Sequence, residues 1–324
     1  MTAAAPDTAP DTSIAPDTVV RPRARGAPRE APALLRALPS LSPSLLWLAL
    51  FYLVPLGLLL AHSVWSVDQV DQVDQVIVRR ATWLNYRTLF QDPLYRNVVV
   101  RTLLMALGVT LTDAVLAFPI AYLIAFRLRR ARTLALMLVL VPLWSSYLVR
   151  AYAWKTILGI DGVLNSFLVA THILRVPSPA FLYSNLAMYI TFTHIWLPFM
   201  ILPVYTALEK IPRSLLEAAG DLGAPGWRAF RHVVLPLAVP GVVAGAIATF
   251  SLTMGDYITP GLVGGPDSQL IGNVIASQFG ATYNWPLGAA FSVVVLVVVA
   301  LFLVLANRAG AAGVAGTAQA GGLR

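Results

Sequence analysis

An all-α membrane protein of six transmembrane helices is what the amino-acid sequence predicts, and three observations carry that prediction. Of the 324 residues, 58% are hydrophobic and 12% charged, whereas soluble domains run to about 25% charged; mean hydropathy is +0.73. The apolar residues gather into six runs on the scale of the roughly 30 Å hydrocarbon layer, which a helix crosses at 1.5 Å per residue. The 23 Lys and Arg residues form short clusters at the ends of those runs. The formal net charge of +8 therefore reports topology and not a nucleic-acid partner. Helices follow because backbone in lipid must satisfy its own hydrogen bonds. A β-barrel would need alternating segments of about ten residues, and the sequence has none.

Residues 1–42 repeat Ala-Pro-Asp-Thr from Ala5, Ala9 and Ala15 and then carry Arg21, Arg23, Arg25, Arg29 and Arg36. Such a stretch has too little apolar surface to fold alone and is expected to be a disordered cytoplasmic tail. Ala37 to Val67 holds no charged residue and is the first span. A cleaved signal peptide is the competing reading, on the small-residue triplet Ala61-His62-Ser63, but the basic region before it is unusually long. Residues 67–76 are a VDQ repeat in an external loop, without chemistry. An amphipathic helix is expected around Leu84 to Tyr95 on the outer face.

Thr102 to Phe126 is the second span, interrupted by Asp113 and closed by Arg127, Arg129, Arg130 and Arg132, which mark the cytoplasmic side. Leu134 to Val149 is the third span, an external segment runs through Val176, and Phe181 to Leu208 is the fourth. Val234 to Gly255 is the fifth, and Leu287 to Ala306, ending at Arg308, is the sixth. The membrane-spanning body thus covers 43–308, with a cytoplasmic tail at 309–324. Both termini are then inside, and the inner segments hold 15 of the 23 Lys and Arg residues. There is no cysteine, so disulfides and thiolate metal sites are excluded. His62, His172, His194 and His232 are scattered without ligand spacing, and no metal site is expected.

Between spans four and five, a loop over 209–236 contains Glu217 to Pro236, EAAGDLGAPGWRAFRHVVLP. Leu215-Leu216-Glu217-Ala218-Ala219 favours helix, and Gly223 with Pro225-Gly226 forces a stop and a sharp turn, so two short helices are expected. An amphipathic loop lying on the lipid surface is the bland alternative. Glu217, Ala218 and Ala219, then Gly223, then an aliphatic residue at Val233 and Leu235-Pro236, resemble the EAA loop of ABC importer permeases. Two further stretches, Pro142 to Trp154 with Gly162 to Asn165, and Gly255 to Pro260 with Gly264-Gly265, Asn273, Gln278-Phe279 and Trp285-Pro286, resemble the spermidine/putrescine (PotB-like) permeases. The resemblance runs from about Trp83 to Asn307. Permeases for ferric iron, thiamine or sulfate share the loop.

The resemblance implies the MetI-like permease fold and an importer moving a small solute, a polyamine in the first instance, across a bacterial inner membrane. Glu217, Ala218, Ala219, Gly223, Leu235 and Pro236 would couple the pore to a dimer of partner ATPase subunits. A second, PotC-like permease subunit would complete the pore, and an external solute-binding protein would feed it. The chain has no Gly-x4-Gly-Lys-Ser/Thr phosphate loop, so ATP belongs to the partner and no cofactor is expected here. A secondary transporter would want a whole-chain repeat and interior coupling residues, and an intramembrane enzyme a nucleophile, base or metal cluster; neither pattern is present.

Five residues are candidates for the substrate pathway. Asp113 lies mid-span, where a charge costs at least ~2.5 kcal/mol; it either attracts a cation, bonds a neighbouring helix or is protonated. Asp256, beside Tyr257, offers an ammonium group an ion pair and an aromatic face, or is simply a helix cap. Trp144 and Tyr147 lie among aromatics with Tyr152 and Trp154, which could equally be an interfacial belt. Arg150 in their midst either snorkels or pairs with an acid such as Asp256. Gly241, Gly245 and Ala248 permit close helix approach.

Overall fold

The computed structural model describes residues 42–71, 74–78, 80–128 and 130–321; the expectation of a tail over 1–42 falls almost wholly outside them. The chain divides into two compact units, 1–55 and 56–324. Five helices are long and apolar enough to cross a membrane, Ser42–Ser63, Pro93–Arg127, Asn185–Glu209, Gly226–Gly255 and Trp285–Ala311. A bent pair, Arg132–Trp144 with Tyr147–Ala170, makes a sixth when the two are taken as one broken span.

That bent pair corrects the third span expected from sequence. Its helix stops at Trp144, turns by 90° and restarts at Tyr147 instead of running to Val149. Pro142 removes one ladder hydrogen bond in the last turn, Ser145 and Ser146 adopt extended backbone, and the Ser145 hydroxyl donates to the Pro142 carbonyl at 2.8 Å. Apolar residues continue on both sides, so hydropathy does not register the break. The VDQ repeat is also more ordered than the expected loop: strands Ser66–Asp71 and Asp74–Val78 pair antiparallel, Ser66 opposite Val78 and Asp71 opposite Asp74. The outer amphipathic helix covers Leu84–Gln91, and Asp92 begins the next helix by accepting from the Leu94 amide at 2.8 Å, with Pro93 in the first turn. At the other end the last helix continues to Gly321, past the tail boundary at 308, because the Ala-rich sequence there contains no proline to stop it.

Asn185–Glu209 is the hub: 56% of its apolar stretch is buried, against 33% for Pro93–Arg127 and for Gly226–Gly255. Phe192, Ile195 and Met200 are among its fully buried side chains. Gly241 and Gly245 let the fifth span lie directly on it, since a Cβ on Gly241 would come 2.5 Å from the Pro203 carbonyl oxygen and one on Gly245 2.5 Å from Met200 Sδ. Phe230–Val234 winds wider just before Pro236, re-routing the ladder around its missing amide, and Leu123–Arg127 winds wider at the inner end of span two. At the same end of the bundle, Arg132 pairs with Glu209, donates to the Tyr205 hydroxyl and lies 5.0 Å over the Tyr205 ring, which ties the start of the third span to the end of the fourth.

Candidate functional site

At that end the loop between spans four and five is two helices joined by one turn. Arg213–Asp221 ends where Gly223 takes a left-handed φ of +73°, and the amides of Gly223 and Ala224 donate to the carbonyls of Gly220 (2.8 Å) and Ala219 (2.9 Å). This is the glycine-terminated helix end that the Gly223 and Pro225-Gly226 spacing implies. The second helix starts at Gly226 and runs without interruption into span five. Phe230 packs edge-on against Phe118 and Tyr122 of span two, and Leu216 reaches the core cluster around Tyr205 and Leu208. The rest faces outward. Glu217, Ala218 and Gly223 are exposed, Ala219 and Pro236 half-buried, and Leu235 is exposed. Leu222 and Trp227 are 86% and 68% exposed, a protruding apolar pair. A rigid, helix-borne knob fixed to three spans is suited to transmit a push from a partner.

The second locus is built around Asp256. Span five ends at Gly255, and the Asp256 carboxylate caps the short helix Ile258–Val263. Its Oδ1 accepts from the Ile258 amide at 2.7 Å and the Thr259 amide at 3.1 Å. Its Oδ2 accepts from the Tyr147 hydroxyl and from the Thr259 hydroxyl at 3.3 Å. Four donors on one carboxylate suit an anion. The Tyr147 ring stacks on Trp196 at 5.5 Å, 11° from parallel. Tyr147, Trp196, Leu252, Gly255, Asp256 and Tyr257 line a groove of about 290 Å³, and Gly272 lets the Asp256 backbone in, since a Cβ there would come 2.5 Å from the Asp256 carbonyl oxygen.

Trp196 stands eleven residues into the helix that starts at Asn185, about 17 Å along its axis. Asp256 itself keeps the outer end of span five, where the sequence places it: its carbonyl lies against Gly272, and the neighbouring Ile271 amide donates to the Thr102 hydroxyl, near the outer end of span two, at 2.9 Å. Of the five pathway candidates, Tyr147, Asp256 and Tyr257 share the groove; Trp144, on the far side of the break and 82% exposed, does not line it. Arg150 does not pair with Asp256 but donates to the Ile195 carbonyl at 3.2 Å. Sequence reasoning missed Trp196 and Thr259. A tryptophan in the middle of a span, away from the interfacial belt, was a readable signal for the first.

Asp113 is a different kind of carboxylate. It is fully buried on the face of span two that also carries Thr110, whose hydroxyl accepts from Thr249 of span five at 3.4 Å. Neither Asp113 oxygen has a hydrogen-bond partner among the described residues. An ionised group so placed costs at least ~2.5 kcal/mol, so Asp113→Asn is expected to leave the thermal unfolding temperature in detergent unchanged or raised. A fall of several degrees would show that the carboxylate braces a neighbouring helix.

Comparison with known proteins follows the same lines. A family model described as binding-protein-dependent transport system inner membrane component matches residues 110–311. The inner membrane ABC transporter permease protein YdcU of Escherichia coli K12 is 42% identical over 278 residues, covering 82% of this chain and 87% of that protein. The spermidine/putrescine transport system permease protein PotB of Escherichia coli K12 is 37% identical over 263 residues, 81% of this chain and 94% of that one. Among solved structures, a chain of the bacterial alginate ABC transporter, in complex with its alginate pentasaccharide-bound periplasmic protein, superposes with a TM-score of 0.64. It is 18% identical and covers 85% of this chain and 93% of its own length; that likeness concerns the fold.

Proposed function

The chain belongs to the family of binding-protein-dependent transport system inner membrane components, as an ABC importer permease subunit of the inner membrane, and from that premise we propose that its cargo is a polyamine such as spermidine or putrescine. The observation that carries the proposal is the Asp256 carboxylate, held by four donors beside the stacked Tyr147 and Trp196 rings. An ammonium group gains there both a counter-charge and aromatic faces. The 37% identity to a spermidine/putrescine permease supports it. Asp113 is a second, hidden carboxylate nearer the inner end, reached when spans two, four and five part.

The subunit is a transporter and not an enzyme; a partner ATPase hydrolyses ATP. The Glu217 to Pro236 knob seats that ATPase, with Leu222 and Trp227 as its apolar contacts and Gly223 as its turn. A second permease subunit closes the other half of the pore, and an external binding protein delivers cargo at the end where Asn185–Glu209 begins. The basic residues Arg127, Arg130 and Arg132 lie at the same end of the bundle as the knob, which supports a cytoplasmic side there and, with it, cytoplasmic termini.

Purification of the full chain in mild detergent, followed by identification of co-purifying proteins, tests this assignment. It should bring down an ATPase and a second permease. Recovery of the chain alone, still able to catalyse uptake, would overturn it.

A further inference from the structure

We propose that the groove between the outer halves of spans two and four is a binding site for an anionic phospholipid. Its volume is about 630 Å³, and its walls change character along the helix axis. Asn97 and Arg101 come early in Pro93–Arg127, and Asn185 opens the first turn of Asn185–Glu209. Both helices start at the end opposite the Glu217 to Pro236 loop, so these three polar groups sit together at the headgroup level of that leaflet. Val100 and Leu186 lie beside these polar groups, and one turn below Arg101 the lining is Leu104 and Met105; Leu104 and Leu186 are 66% and 51% exposed. Tyr189 closes the floor: its hydroxyl donates to the Gly108 carbonyl at 3.1 Å and bonds Thr112.

The charge fixes the occupant's sign. Arg101 spends Nη1 on the backbone carbonyls of Asp267 and Gln269, and no carboxylate forms an ion pair with it among the described residues. No acidic residue lines the groove. The N-terminal dipole of the 25-residue helix from Asn185 adds positive potential at the same level. A ligand matching this order has a negative head with hydrogen-bond acceptors and an apolar tail running inward, which is a phospholipid seated with its phosphate on Arg101. Free phosphate would use the rim and leave the apolar wall empty. A neighbouring subunit would have to bring an acid to Arg101 and apolar side chains beneath it.

Native mass spectrometry of the complex, purified from membranes and exchanged into equal mole fractions of phosphatidylglycerol and phosphatidylcholine, tests the site. The wild-type complex should retain phosphatidylglycerol over phosphatidylcholine by about tenfold, the worth of one charge-assisted contact. Arg101→Gln should bring the ratio to about one. Leu104→Trp, a change on a lipid-exposed position that leaves the guanidinium in place, should reduce retention of both lipids by filling the tail channel. Equal retention in wild type and Arg101→Gln would overturn the proposal, as would displacement of the lipid by millimolar inorganic phosphate. A wild-type complex that keeps no phosphatidylglycerol would also overturn it and leave the groove to a protein partner.

Discussion

Gly223→Asp is expected to abolish transport while the protein still inserts and folds. The position is exposed, and a Cβ there meets nothing within 4 Å, so no internal clash accompanies the change. The left-handed φ of +73° strains any side chain, aspartate less than most, since Asp and Asn are the non-glycine residues most often found in that region. What changes is the docking face. A carboxylate placed between Leu222 and the second helix would have to be buried without a partner when the ATPase closes over the knob, at a cost of about 2–4 kcal/mol, or roughly 30- to 700-fold weaker docking. Gly223→Asn separates the two contributions: it keeps the size and backbone cost without the charge and should retain a measurable fraction of uptake. Normal uptake by the aspartate variant would remove the knob from the coupling route.

Asp256→Asn is expected to lower the maximal rate of spermidine uptake by about tenfold, the loss of one charge-assisted contact, with apparent affinity nearly unchanged because the external binding protein sets capture. Asparagine can retain the Oδ1 acceptor for the Ile258 and Thr259 amides, so the short helix keeps its cap. It loses the negative charge at the Tyr147 hydroxyl. Asp256→Ala removes the cap as well and should add about 1 kcal/mol of destabilisation, visible in thermal unfolding. If the two variants transport equally and both near wild-type rate, Asp256 is a structural cap and cargo touches other groups.

The loop was legible because its chemistry is local: a left-handed glycine, a proline-glycine turn and helix-forming flanks each act within a few residues, and the structure has the turn at Gly223 where that spacing puts it. Span positions were legible for the same reason, hydropathy being a sum over neighbours. The break after Trp144 was not, since apolar residues lie on both sides and the bend depends on Pro142 with two serines in extended backbone. Nor was the Asp256 groove. It joins residues 147, 196 and 256, brought together by a span that ends short and a helix that restarts at right angles, and no local pattern encodes such a meeting. Arg150 shows the opposite error: a cation near an acid in sequence-derived topology suggested a pair, but the bend turns its guanidinium to the Ile195 carbonyl.

The most direct test of the central claim is uptake of radiolabelled spermidine into vesicles reconstituted with this chain, its co-purified partners and the external binding protein, with ATP on the ATPase side. Accumulation that requires ATP and disappears with Gly223→Asp is the expected result. Accumulation without ATP, or ATP-driven accumulation of another solute while spermidine and putrescine stay outside, would contradict it.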